Sequence, residues 1–123
     1  MADPSIRIRR VYEPPEAADG WRVLVDRLWP RGLSKARAEL DLWLKDVAPS
    51  PALRRWWDHD PARLDAFAER YRRELAGNPA LDELRAVVRD HPTTTLLFAA
   101  RDPAVNHAGV LRDHLLDLLG RGG

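Results

Sequence analysis

The run Thr93-Thr94-Thr95-Leu96-Leu97-Phe98-Ala99-Ala100 constrains this chain more than any other stretch. It opens β-branched and then continues apolar without alternation, the pattern of a central strand covered on both faces. Two further strands are predicted. Ile6-Arg7-Ile8-Arg9-Arg10-Val11 alternates apolar and polar, the period of a half-buried strand, and ends at the paired prolines Pro14 and Pro15. Trp21-Arg22-Val23-Leu24-Val25 follows the turn signal Asp19-Gly20 and finishes apolar.

Helices fill the intervals. Ser50-Pro51, Asp60-Pro61, Asn78-Pro79 and Asp102-Pro103 each place a capping side chain before a proline that has no N–H to leave unpaired. After Pro61, Leu64, Phe67, Tyr71 and Leu75 recur at helical spacing, with Gly77 as the stop. After Pro79, Leu81, Leu84, Val87 and Val88 share a face. A short helix is expected over residues 36–45 with Leu40, Trp43 and Leu44 inward. A last helix is expected from Pro103 or His107 to Leu119, with Gly120 as its stop. Strands separated by helices imply an α/β fold: a small, mostly parallel sheet flanked by helices in a three-layer-like arrangement. Three strands make a small sheet, so a fourth strand is hidden or a partner chain covers an edge. The 123 residues fit one domain, 1–123.

Composition removes whole classes of chemistry. There is no cysteine, hence no disulfide, no thiolate nucleophile and no Cys-based metal site. No apolar run reaches membrane-span length, and the start of the chain lacks the basic-then-apolar pattern of a secretory signal, so a cytoplasmic protein is expected. A net charge of +1 argues against a dedicated nucleic-acid binder. No Gly-rich phosphate loop, serine elbow or dinucleotide fingerprint is present, and no His pair has metal-ligand spacing, so neither a metal nor a cofactor is expected.

Two loops carry chemistry. Asp26-Arg27-Leu28-Trp29-Pro30-Arg31-Gly32 directly follows a strand, where ligands gather in open α/β sheets. Arg27 and Arg31 offer guanidinium forks for phosphate or carboxylate oxygens, and Trp29 offers a wall. The plainer reading makes Asp26 the partner of a neighbouring arginine and Trp29 a core plug. Ala100-Arg101-Asp102-Pro103-Ala104-Val105-Asn106-His107 also follows a strand and opens a helix. Arg101 and Asn106 would meet an anion there, and His107 is the acid–base residue, with Asp26 to orient it. Otherwise Asn106 or Asp102 only caps the helix and His107 only bonds a carbonyl. If the two strands are neighbours, the loops converge in one arginine-rich pocket.

At these residues the chain resembles the YeaO-like branch of the bacterial domain-of-unknown-function family 488. The resemblance runs from Arg10-Val11-Tyr12 through Arg22-Val23-Leu24-Val25-Asp26-Arg27-Leu28-Trp29-Pro30-Arg31-Gly32 and Trp43. It continues to Leu96-Leu97-Phe98-Ala99-Ala100-Arg101-Asp102 and Asn106-His107-Ala108. It implies a small α/β protein and supplies no activity. It also implies that distant relatives carry Cys-His-Arg where this chain has Asn106-His107-Ala108, so cysteine chemistry does not transfer. Three functions remain. A small anionic ligand in the pocket ranks first, and a nucleic-acid module is disfavoured by charge. The third is a homodimer or partner surface built from Trp21, Trp43, Trp56 and Trp57.

Overall fold

The computed structural model describes residues 5–121; the opening segment, residues 1–4, in which no signal was read, lies outside the described residues. Four strands form one all-parallel sheet: β1 (Ser5–Arg10), β2 (Trp21–Leu24), β3 (Leu42–Trp43) and β4 (Thr93–Phe98), in the order β1-β4-β2-β3. The apolar run is central, as its composition requires. Ile8 of β1 and Val23 of β2 both lie opposite Leu96.

Strand alternation sends the two faces of the sheet to unlike environments. Ile6, Ile8, Val23, Val25, Leu96 and Phe98 enter the main core. Covering them are helices α2 (Pro51–Trp57), α3 (Leu64–Leu75), α4 (Pro79–Asp90) and α5 (His107–Arg121). Trp57 stacks on Phe67 in that core, centroids 3.9 Å apart, and Phe67 meets Tyr71 at a tilt. Ser50, Asp60 and Asn78 each accept a backbone N–H as expected, and Gly77 turns the chain after α3 at φ 83°.

The opposite face is thin. Leu24, Leu97 and Val11 meet Leu33 and Ala38, the latter on the one-turn helix α1 (Lys35–Ala38). Beside them the face is ionic. Asp19, fully buried, accepts from Arg9 at 2.9 Å and from Arg22, and stands 3.5 Å from Arg7. Its carbonyl accepts the Thr95 hydroxyl at 2.7 Å. The third layer of the expected fold is therefore a short helix, loops and an ion cluster.

Three local expectations are corrected. The helix over 36–45 stops after Ala38, where Glu39 turns left-handed at φ 45°. The chain is then captured by the free edge of β2: Asp41 N–H donates to the Arg22 carbonyl and Leu44 N–H to the Leu24 carbonyl, both at 2.9 Å. This is the hidden fourth strand, and it overrides the local helical spacing. Trp43 is 37% exposed, not inward, while Leu44 is buried. Asp102 holds only a turn, accepting from Ala104 and Val105; Asn106 caps α5 by accepting the Gly109 N–H at 2.8 Å. Helix α5 passes Gly120 and reaches Arg121.

Candidate functional site

The two loops do meet. Strands β2 and β4 are neighbours and parallel, so Asp26 and Ala99-Ala100-Arg101 leave the sheet side by side at its carboxyl end. A cleft of about 250 Å³ lies there. Asp26, His107 and Arg101 line it, joined by Arg54, Trp57 and His59 from α2 and the turn after it.

At the base sits a His–Asp pair, its histidine buried and its aspartate half-buried. His107 is the first residue of α5 and only 8% exposed. Its Nε2 lies 3.0 Å from the Val25 carbonyl oxygen and 3.3 Å from Asp26 Oδ1. Asp26 Oδ2 accepts the Ala99 N–H at 3.0 Å, and the Asp26 carbonyl accepts the Trp43 indole N–H at 2.7 Å. Asp26 thus ties β4 and β3 together and stands beside His107, whose ring nitrogen is hydrogen-bonded to the Val25 carbonyl. Its Oδ1 is buried without a well-formed hydrogen bond. Burial pushes the His107 imidazole below its ordinary value; Asp26 and the Val25 carbonyl pull it up, and Arg54 and His59 push it down again.

That depression has a measurable sign. The unfolded imidazole titrates near 6.5 and the folded one below it, so the unfolded state binds the proton more readily. Stability from keeping His107 neutral is complete above about pH 6.5 and is lost as pH falls through the folded value. Urea denaturation across this range should show a decline of up to about 1.4 kcal/mol per pH unit, shallower in His107→Gln. The same slope in both proteins would assign the decline to another group.

The mouth of the cleft is cationic. Arg54 and Arg101 are exposed, and neither has a carboxylate partner among the described residues. His59 leans on Trp57 with centroids 4.8 Å apart. Two successive residues there, Asp58 at φ 50° and His59 at φ 53°, hold the left-handed conformation without being glycine. Each costs about 1–2 kcal/mol, and the strain brings His59 to the cleft wall.

Other residues of the first loop do not line the cleft. The Arg27 guanidinium donates to the Ala48 and Pro49 carbonyls at 3.2 and 3.4 Å, anchoring the segment that passes one side of the cleft. Trp29 donates to the Leu33 carbonyl at 2.6 Å, meets Trp43 edge-on and packs on the thin face. Arg31 is exposed, and its carbonyl accepts the Tyr12 hydroxyl at 2.8 Å. Asn106 is buried as the α5 cap. Sequence reasoning placed neither Arg54 nor His59 at this cleft. Among the described residues no group of three His, Asp or Glu side chains is placed to hold a metal ion. Among the described residues no helix is long and apolar enough to cross a membrane.

Fold and cleft together define a small all-parallel α/β protein with a basic-mouthed cleft at the carboxyl ends of its two central strands. The chain belongs to domain-of-unknown-function family 488, in what is described as the inactive DUF488-N3 subclade, whose family model matches residues 5–122. It is 47% identical over 111 residues to an uncharacterised protein of Mycobacterium tuberculosis strain H37Rv, covering 90% of this chain and 93% of that one. It is 40% identical over 114 residues to the uncharacterised protein YeaO of Escherichia coli K12, covering 93% and 99%. The YeaO-like resemblance read from the sequence is thereby shown. No solved structure matches the chain.

Proposed function

We propose that this protein binds a small phosphate- or carboxylate-bearing molecule in the cleft between the ends of β2 and β4. The observation that carries the reading is the pair of guanidiniums, Arg54 and Arg101, without carboxylate partners among the described residues, at the mouth of a concave site whose base is the His107–Asp26 pair. Guanidinium forks match such oxygens two at a time. Among the lining residues Asp26 is the one acid, and it is engaged by Ala99 and His107, so the entrance favours negative charge. A volume of about 250 Å³ suits an inorganic anion or a small ester better than a drug-sized ligand. The reading is of binding without turnover: no cysteine, serine or threonine lines the cleft, and the subclade is described as inactive.

Thermal unfolding tests this directly. A ligand at a hundred times its dissociation constant should stabilise the fold by about 2.7 kcal/mol. Arg54→Ala and Arg101→Ala should each lose that shift, yet melt like the parent protein without ligand, because both side chains are exposed. Arg31→Ala, away from the cleft, should keep it. A shift that survives both cleft variants and vanishes with Arg31 would move the site to the loop after β2. A flat response to phosphate, phosphate esters and small carboxylates alike would remove the proposal.

A further inference from the structure

The two ring nitrogens of His107 have unlike surroundings. Nε2 faces the Val25 carbonyl oxygen and Asp26 Oδ1, both acceptors, so Nε2 carries the hydrogen. In a neutral ring this leaves Nδ1 with a bare lone pair. No hydrogen bond engages Nδ1 among the described residues, and His107 lines the cleft. The charged and titratable groups around the ring are Asp26 after β2, Arg54 on α2, His59 in the turn beyond it, Tyr71 on α3 and Arg101 after β4. The Tyr71 hydroxyl is spent on the Val47 carbonyl at 2.6 Å, and burial holds it protonated. It offers Nδ1 nothing.

An oxyanion in the cleft would therefore meet two guanidiniums that need acceptors and one ring nitrogen that needs a donor. Sulfate has acceptors only, and its oxygen would face the Nδ1 lone pair. Hydrogen phosphate has the same charge and shape but carries a P–O–H that can donate to Nδ1. Resting on the anion-binding reading, we propose that His107 makes the cleft select oxyanions that carry their own proton, hydrogen phosphate and acid phosphate esters, over fully deprotonated anions such as sulfate. An unmatched lone pair at a desolvated site is the kind of defect that gives strong discrimination between otherwise similar ligands.

Calorimetric titration of the whole chain with inorganic phosphate and with sulfate provides the test. At about pH 8, where the free imidazole is neutral, phosphate should bind on the order of a hundredfold more tightly than sulfate. At about pH 5.5 a bound anion favours a protonated ring, Nδ1 becomes a donor, and the gap should narrow through tighter sulfate binding. Equal affinities at the higher pH would overturn the selection while leaving the anion site standing. No binding of either anion at either pH would overturn both. His107→Gln, which keeps a donor for Val25 and lacks Nδ1, should bind the two anions alike; discrimination that survives it overturns the proposal. Should that variant not fold, nitrogen NMR of the parent protein decides the same point. The Nδ1 resonance should move with phosphate at the higher pH, and a static resonance at saturation overturns the assignment.

Discussion

Replacing Asp19 with alanine is expected to cost about 3–5 kcal/mol of folding stability. The carboxylate is fully buried and is the shared partner of Arg9 and Arg22, with Arg7 nearby. Removing it leaves the Arg22 guanidinium, itself buried, among cations, held only by the Ala38 and Glu39 carbonyls. It also frees the Glu16 N–H that Asp19 Oδ2 accepts at 3.0 Å. Urea denaturation at neutral pH measures the loss; a change below about 1 kcal/mol would show that water enters and replaces the carboxylate. Acid gives a second readout. Burial pushes the Asp19 carboxyl up, but the Glu16 hydrogen bond and the Arg22 and Arg9 guanidiniums outweigh it and hold the carboxyl below its ordinary 3.8. Its contribution is thus full above about pH 3.8 and disappears as pH falls through the lower folded value. This window lies well below the one in which His107 acts.

Gly20→Ala should be nearly as damaging, with a loss of about 3 kcal/mol or more. Gly20 sits at φ 64° and ψ −131°, a region open essentially to glycine alone. A Cβ there would lie 2.2 Å from the Thr93 carbonyl oxygen, which is backbone and cannot rotate away. The collision falls where β4 begins, beside Asp19, so relieving it shifts either the central strand or the ion cluster. Gly77→Ala is the informative comparison: its φ is also positive, at 83°, but nothing lies within 4 Å of the added carbon. That variant should lose only the conformational cost, about 1–2 kcal/mol. Equal losses in the two variants, by chemical denaturation, would show that strain and not collision dominates at Gly20.

Much of the fold is legible in the sequence because it is written in local patterns. The apolar run of β4, the alternation of β1 and the cap-then-proline starts of α2 and α4 all report short-range physics. Residues 36–45 were not legible, because their fate is decided by the free edge of β2, which no local window contains. Asp19 and Gly20 read correctly as a turn, but a turn signal says nothing of three arginines arriving from β1 and β2. The meeting of the two loops follows from the adjacency of β2 and β4; of the four residues expected to converge, Arg101 and His107 line the cleft and Arg27 and Arg31 do not. Arg54 was invisible: nothing in a solvated helical arginine reveals which end of the sheet its helix passes. Arg27 and Trp29 show the opposite difficulty. Their motif is specific, yet both side chains are occupied with backbone carbonyls.

The strand order carries a consequence for how the chain is made. The central strand β4 is the last to be synthesised, and it inserts between β1 and β2, which are made first. Before Phe98 has left the ribosome the nascent chain can close only the two-residue pairing of β2 with β3. Strand β1 and the outer edge of β2 must wait unpaired until β4 is made. Assembly thus joins strands far apart in sequence, slow in the way of folds built on distant pairings. During that interval a chaperone would find its longest-lived target in β1.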